Sequence, residues 1–155
     1  MMQDIETPPI DAAGGILLHA ETEPELLACY PVMKQLRPSL ADAAEFIASV
    51  TRMKPQGYRL LAVWEGERAV ALAGYRLKEN LVHGKFLYVD DLVTLDSARG
   101  KRWGAQLLSA LSDMADKASC TKLVLDTAAS NALAQRFYFR EGLLLTGMHF
   151  AKALR

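Results

Sequence analysis

Three basic residues and two glycines are concentrated in one turn, between an apolar run and an amphipathic segment, in LVTLDSARGKRWGAQLLSAL (92–111). They are the cations Arg99, Lys101 and Arg102 and the glycines Gly100 and Gly104. A helix beginning at this turn exposes backbone N–H groups that, with the helix dipole, attract anions. Cations at a helix N-terminus are otherwise unfavourable by ~0.3–1 kcal/mol each. The turn therefore predicts a phosphate site, more specifically one for pyrophosphate, whereas the alternative is a solvated basic helix start capped by Asp96 or Ser97.

Two adjacent carboxylates, Asp90 and Asp91, interrupt the apolar strand sequence that leads into this turn. Aspartate is depleted in strands, so a pair of them in one is unusual. Neighbouring residues of a strand point to opposite faces. We therefore expect one carboxylate to face a cleft and the other not to, unless a bulge intervenes. The alternative is that both anchor loops through hydrogen bonds.

The 155-residue chain has 51% hydrophobic and 23% charged residues and a formal net charge of zero, which predicts a soluble globular protein in the cytoplasm. The balanced charge argues against nucleic-acid binding, and the absence of a long apolar run argues against a membrane segment. Cys29 and Cys120 form no paired motif, so we expect neither a disulfide framework nor a metal site. We predict a flexible segment over 1–15 and a single domain over 16–155.

The apolar periodicities predict the element order β–α–α–β–β–β–α–β–α–β, hence an α/β protein with a mixed sheet and helices on both faces. Pro31 is expected to bend or break the first helix, and Ser39 to cap the second. The predicted elements are strand 16–20, helices 21–37 and 40–54, a hairpin over 58–80, strand 83–95, helix 103–118, strand 122–128, helix 130–141 and strand 143–154. The apolar 122–128 strand is predicted to be central in the sheet.

The phosphate-binding turn is neither a Walker loop nor a dinucleotide fingerprint, because its glycine spacing fits neither motif. RGKRWGAQLL instead resembles the Q/R-x-x-G-x-G/A signature of the GNAT superfamily of acyl-CoA-dependent N-acyltransferases, with Arg102 in place of the middle glycine. LVLDTAASNALAQRFYFREGL is similar to the later family motif D-x-x-x-x-N-x-x-A-x-x-F-Y-x-x-x-G-F. Its matching residues are Asp126, Asn131, Ala134, Phe137, Tyr138 and Gly142. Together the two resemblances span about residues 85–145.

The resemblance implies a mostly antiparallel sheet that is splayed at a bulge, with acetyl-CoA as co-substrate between the strands at 86–95 and 122–127. The pantetheine arm would pair with free backbone groups of the first of these strands, and the pyrophosphate with the N–H groups of 100–105. The residues implied for the coenzyme are Leu92, Val93, Thr94, Arg99, Gly100, Lys101, Arg102, Trp103, Gly104, Ala105 and Asn131. The Trp103 side chain itself is predicted to lie on the apolar face of its helix.

The resemblance also implies direct attack of an amine on the thioester. Tyr138 matches the general acid that protonates the leaving thiolate, and Asp90 matches a general base, with Asp91 as the alternative. The N–H of Leu92 would stabilise the oxyanion. We predict a small, cationic primary amine as acceptor, because an acidic cleft favours cations. A protein or peptide acceptor, a non-catalytic acyl-CoA sensor and, more remotely, a nucleotide-phosphate binder are alternatives, and a homodimer is an open option.

Overall fold

A computed structural model describes residues 15–155, so the predicted N-terminal segment lies outside the described residues except for Gly15. The chain divides into two compact units, one up to Val124 and one from Leu125. The strands are β1 (Ile16–His19), β2 (Arg59–Glu65), β3 (Arg68–Asn80), β4 (Gly84–Thr94) and β5 (Lys122–Leu125). The helices are α1 (Glu23–Leu36), α2 (Ala43–Met53), α3 (Trp103–Lys117) and α4 (Ala132–Arg140), with 3-10 turns at Lys54–Gln56 and Asp96–Ala98. No helix within 15–155 combines the length and apolar character needed to cross a membrane.

The five strands form one sheet in the order β1-β2-β3-β4-β5. The first three pairings are antiparallel. β5 begins beside the start of β4, where the Thr121 N–H donates to Lys85 O at 2.8 Å, so these two strands run in the same direction. The predicted mixed, mostly antiparallel sheet is confirmed. The prediction that the 122–128 strand is central is wrong, because β5 is shorter than expected and lies at the edge of the described sheet.

Helix α1 begins with a capping box, in which the Thr22 hydroxyl accepts from the Glu25 N–H and the Glu25 carboxylate accepts from the Thr22 N–H. Pro31 does not break this helix, which continues to Leu36 with one backbone donor missing. Helix α2 is capped by Asp42, whose carboxylate accepts the Glu45 N–H at 2.8 Å. The prediction of Ser39 as cap is therefore wrong, because α2 begins later than its apolar pattern suggested.

The sheet is covered on both faces. Side chains of α1 and α2 pack on one face in a cluster that includes Leu60, Ala62 and Leu72 of the strands. Leu61 and Val63 are also fully buried but alternate with that set, so they point to the opposite face. Trp103 at the start of α3 lies close to Val63, because both are within about 3 Å of the Cβ position of Gly15. The apolar face predicted for α3 is buried except at its last residue, Ala118, which is partly buried; the buried members are Trp103, Leu107, Leu108, Leu111, Met114 and Ala115.

A β-bulge in β4 interrupts the pairing with β3. Gly74 pairs with Asp91 and Tyr75 pairs with Val89, so Asp90 is the extra residue. A Cβ atom at Gly74 would lie 2.1 Å from the Tyr58 hydroxyl and 2.6 Å from Asp91 Oδ2. These two atoms are hydrogen-bonded to each other at 2.7 Å. Glycine is therefore required at this position so that the tyrosine can reach the carboxylate across β3.

The second unit contains α4 and the C-terminal segment. Asn131 caps α4 by accepting the Ala134 N–H at 3.1 Å, and Gly142 with φ 88° follows its end. The predicted strand over 143–154 is wrong: this segment has neither helix nor strand structure. A strand is stabilised by backbone pairing, and the described residues after Leu125 contain no strand with which this segment could pair. Its apolar side chains Leu144, Leu145, Met148, Phe150 and Leu154 are 78–86% exposed.

Replacing Gly74 with alanine tests the bulge. The methyl group displaces the Tyr58 hydroxyl from Asp91, so we expect the free energy of unfolding to fall by about 1–3 kcal/mol, as for other overpacked sites. Urea denaturation measures this change. Gly147→Ala is the control, because nothing lies within 4 Å of its Cβ position, and its effect should stay within about 0.5 kcal/mol. Equal stability of the two variants would contradict the close approach.

Candidate functional site

The basic turn leads from β4 into α3 through two residues in the left-handed conformation, Gly100 (φ 95°) and Arg102 (φ 60°). The first backbone bond of the helix is donated by the Gln106 N–H to Arg102 O at 3.1 Å. The N–H groups from Gly100 to Ala105 have no backbone acceptor in the described part of the chain. This turn therefore presents consecutive free donors at the positive end of a 15-residue helix, which is the geometry of an anion site.

The side chains of Asp96 and Ser97 do not cap α3, so the capping residue expected in the alternative of a solvated helix start is not found. Asp96 forms an ion pair with Arg99 at 2.8 Å instead. Ser97 accepts a hydrogen bond from Arg68 at 3.1 Å. Neither side chain therefore competes with an anion for the free N–H groups of the helix.

Two of the three cations in the turn already have acidic partners. Arg99 pairs with Asp96, and Lys101 pairs with Glu65 at 2.8 Å. Arg102 is exposed and forms no ion pair with any residue between 15 and 155. The unfavourable charge at the helix start is thus partly compensated within the protein. Arg102 is the cation that remains available, on a backbone conformation that costs a non-glycine residue ~1–2 kcal/mol.

Two buried polar atoms in the first turn of α3 have no hydrogen-bond partner among the described residues. They are Nε1 of Trp103, whose side chain is 1% exposed, and Oε1 of Gln106. The Gln106 side chain donates from Nε2 to Lys101 O at 3.1 Å and so supports the loop conformation. Both atoms have almost no accessible surface, and the Trp103 ring lies beside Val63 in the core, so neither atom is placed to contact a ligand at the surface of the turn.

At the edge of β4 beyond the bulge, two of the three residues predicted for the coenzyme direct their backbone groups away from β3. The Leu95 N–H donates to Val70 O at 2.8 Å, so strand alternation turns the polar groups of Leu92 and Thr94 away from β3. β5 begins beside Lys85 and has four residues, so it ends well before Leu92. Val93 is buried in the core on the α1 side.

Gln35 of α1 hydrogen-bonds to the backbone at the end of β4. Its Nε2 donates to Thr94 O at 2.9 Å, and its Oε1 accepts the Asp96 N–H at 2.9 Å. One amide thus ties the end of α1 to both sides of the β4 terminus and orients the basic turn. Of the three predicted positions, Leu92 keeps its N–H free for a ligand, the backbone groups of Val93 face β3, and the Thr94 carbonyl already accepts a hydrogen bond.

The bulge places both aspartates in one cluster rather than on opposite faces. Asp91 is 13% exposed and accepts hydrogen bonds at both oxygens: from the Tyr58 hydroxyl at 2.7 Å, and from Nε and Nη2 of Arg37 at 3.1 and 2.9 Å. Every acceptor site facing the protein is thus engaged. Asp91 fits the alternative of a loop-anchoring carboxylate, because it joins β4 to the residues after α1 and α2.

Asp90 has more freedom. Its Oδ2 accepts from Arg76 Nε at 3.2 Å, and its Oδ1 receives no hydrogen bond from the described residues. The Arg76 guanidinium lies 5.5 Å from the Tyr58 ring centroid. Because Arg76 bonds to Asp90 and Tyr58 bonds to Asp91, this contact links the two carboxylates. Burial raises the pKa of Asp90 and the Asp91 charge raises it further, while Arg76 opposes them. A carboxylate with a raised pKa and a free oxygen is suited to proton transfer.

The cluster contains two carboxylates and two guanidiniums, so it has no net charge. Arg37 bonds to Asp91, and Arg76 bonds to Asp90. The acidic cleft expected to favour a cationic acceptor is therefore balanced by arginines that the sequence analysis did not identify. The partners missed from sequence were Gln35, Arg37, Tyr58, Gly74 and Arg76. Of these, only Gly74 carried a local signal, since a glycine inside a strand indicates a bulge or a close approach.

The second unit contains Tyr138 and Asn131, the two remaining predicted residues. Burial raises the pKa of Tyr138, whose ring centroid lies 5.4 Å from that of Phe137. A phenol that stays protonated can serve as a proton donor. Asn131 uses its side-chain oxygen to cap α4, so its amide NH₂ is the part that remains for a ligand.

Comparison with known proteins identifies the family of this chain. The acetyltransferase (GNAT) family profile matches residues 19–142. The chain is 32% identical over 110 residues to the uncharacterized N-acetyltransferase YhdJ of Bacillus subtilis strain 168, covering 70% of this chain and 77% of that protein. It is 29% identical over 141 residues to the aminoalkylphosphonate N-acetyltransferase of Salmonella typhimurium strain LT2, covering 89% and 90%.

The fold is shared with solved enzymes at lower identity. The aminoglycoside N-acetyltransferase AAC(6')-Iy, solved in complex with CoA, superposes with a TM-score of 0.76 at 17% identity, covering 94% of this chain and 99% of that chain. This likeness concerns the fold, and the family match concerns most of the chain. The protein therefore belongs to the acetyltransferase (GNAT) family and is an N-acetyltransferase.

Proposed function

We propose that the protein transfers an acetyl group from acetyl-CoA to the primary amine of a small molecule, by direct attack within a ternary complex. The observation that carries this proposal is the course of β4. Its bulge presents Asp90, the free N–H of Leu92 follows, and the strand then leads into the open N-terminus of α3. A base, an oxyanion donor and an anion site thus follow one another along the chain.

In this proposal the free N–H groups of 100–105 bind the pyrophosphate of the coenzyme. Arg102 adds the cation that lacks an acidic partner among the described residues. The backbone of Leu92 pairs with the pantetheine arm, and the Asn131 amide contributes a further contact.

The chemistry requires three groups. Asp90 accepts a proton from the ammonium, directly or through a water molecule. The Leu92 N–H stabilises the negative charge that develops on the thioester oxygen, and Tyr138 protonates the leaving thiolate. The aminoalkylphosphonate relative suggests an amine that also carries a phosphonate as the first acceptor to test. The homodimer, the cytoplasmic location and the single domain over 16–155 stay predictions.

Replacing Gly104 with aspartate tests the coenzyme site. The carboxylate lies where the pyrophosphate is expected, so the dissociation constant for acetyl-CoA should rise at least tenfold, or ~1.4 kcal/mol. The fold should be retained, because an acidic residue is favourable in the first turn of a helix. Calorimetry measures the affinity. The control Ser109→Asp makes the same charge change at an exposed site of α3 and should leave the affinity unaltered. Equal dissociation constants for the two variants would contradict the assignment of the coenzyme site to this turn.

Replacing Asp90 with asparagine tests the base. Because the pKa of Asp90 is raised, the acidic limb of the kcat/KM profile should lie above the ordinary pKa of aspartate, with activity falling as Asp90 becomes protonated. Asp90→Asn should remove this limb and lower kcat/KM by ~10²–10⁴-fold. Asp91→Asn, which loses Tyr58 and Arg37 contacts, should lower the thermal midpoint and keep the limb. If Asp91→Asn abolishes the limb and Asp90→Asn preserves it, the assignment is reversed.

Replacing Tyr138 with phenylalanine tests the acid. The change removes one hydroxyl and keeps the ring packing, so kcat should fall at least tenfold while acetyl-CoA affinity is unchanged. Steady-state kinetics and calorimetry on the same preparation separate the two quantities. Tyr30→Phe removes the same atom from a ring packed against Phe46 and should leave kcat unaltered. Full activity of Tyr138→Phe would show that the hydroxyl has no role in the reaction.

A further inference from the structure

Arg37 and Arg76 both bind the aspartate pair, but their surroundings differ. Arg76 is 14% exposed and uses all three guanidinium nitrogens, on Asp90, Gln56 and Met53. Arg37 is 49% exposed and uses only Nε and Nη2. Its Nη1 contacts no acceptor among the described residues. Arg76 therefore has the environment of a structural ion pair, whereas Arg37 keeps part of its hydrogen-bonding capacity available.

The orientation of Arg37 is fixed by its partners. The residue is the C-cap of α1, where its N–H donates to Met33 O at 2.8 Å. Its side chain donates to Asp91 Oδ1 from two nitrogens and to Asp90 O at 2.9 Å. A planar guanidinium held by three hydrogen bonds loses little further freedom on binding a ligand. Its unused donors are thus prepared for a planar or tetrahedral anion.

Arg37 is also adjacent to the proposed base. Nη2 lies 2.9 Å from the carbonyl oxygen of Asp90, the residue whose carboxylate is proposed to accept the proton from the amine. An acceptor whose amine reaches that carboxylate would bring a substituent on a short carbon chain near the guanidinium. The cluster itself has no net charge, so an added anion is not repelled by an excess of carboxylates.

From this geometry we propose that Arg37 binds an acidic group of the acceptor, so that the substrates are amines that carry a phosphonate, phosphate or carboxylate on a short chain. The acceptor is then a zwitterion, with its ammonium at Asp90 and its anion at Arg37. Arg37 is a specificity-determining residue in this view, and the inference rests on the proposed acetyl transfer. The N–H groups of Nη1 remain to donate charge-assisted hydrogen bonds to each of these anions, which an uncharged alkyl substituent cannot accept.

The test compares 2-aminoethylphosphonate and β-alanine with n-propylamine, using the ratio of kcat/KM values within each preparation. This ratio does not depend on the fraction of folded enzyme. The wild-type protein should favour an anionic acceptor at least tenfold, and Arg37→Gln should abolish the preference while leaving the KM for acetyl-CoA unchanged. Arg37→Lys should restore part of it. The control is Arg52→Gln, a remote change on α2 at an arginine that contacts Ser49, which should retain the wild-type ratio.

Calorimetric binding of 2-aminoethylphosphonate in the presence of CoA separates this inference from the proposed function. Phosphonate binding that is lost in Arg37→Gln, without acetylation of any amine, would support the anion site and contradict the proposed reaction. Acetylation of n-propylamine as efficient as that of the anionic amines would overturn the role of Arg37 and leave the acetyltransferase intact. Retention of the preference in Arg37→Gln would overturn it equally.

Discussion

The hydrogen bond between the Tyr58 hydroxyl and Asp91 is the contact on which the arrangement of the site depends. It exists only because Gly74 lacks a side chain, since a Cβ atom there would occupy the same space. The bond fixes the residue immediately after the bulge, while Arg37 holds the other oxygen of the same carboxylate. Asp91 is thus held from two sides. Asp90, the extra residue next to it, is left outside the regular pairing of β3 with β4.

Because of this constraint, the two neighbouring carboxylates have different surroundings. Asp91 is engaged at both oxygens and connects β4 to the ends of α1 and α2, so its contribution is structural. Asp90 keeps one oxygen free, and burial beside a second negative charge raises its pKa. The difference between them arises from their surroundings and not from their chemistry, which is how one fold can assign separate roles to identical residues.

In the basic turn, the side chains that fix the conformation are likewise distinct from the backbone N–H groups that stay open. Arg99 and Lys101 are neutralised by acidic partners, and Arg102 holds a left-handed conformation that glycine would adopt without strain. Gln35 and Gln106 orient the turn from opposite ends, through the β4 terminus and the Lys101 carbonyl. The open N–H groups are thus held in place by side chains that do not themselves need to contact a ligand.

The sequence by itself determined the local features of this protein. These features depend on residues close together in the chain, where periodicity and capping act: the amphipathic face of α3, the ends of α4 at Asn131 and Gly142, the basic turn at 99–105 and the family motifs. Tertiary structure alone decided which side chains surround Asp90 and Asp91, because Arg37, Tyr58 and Arg76 lie 14 to 54 residues from their partners. It also decided that the apolar C-terminal segment, which has the composition of a strand, forms no strand, because the described residues after Leu125 contain none for it to pair with. A pattern of residues sets what a segment can form, whereas pairing and charge compensation require partners that only the folded chain brings together.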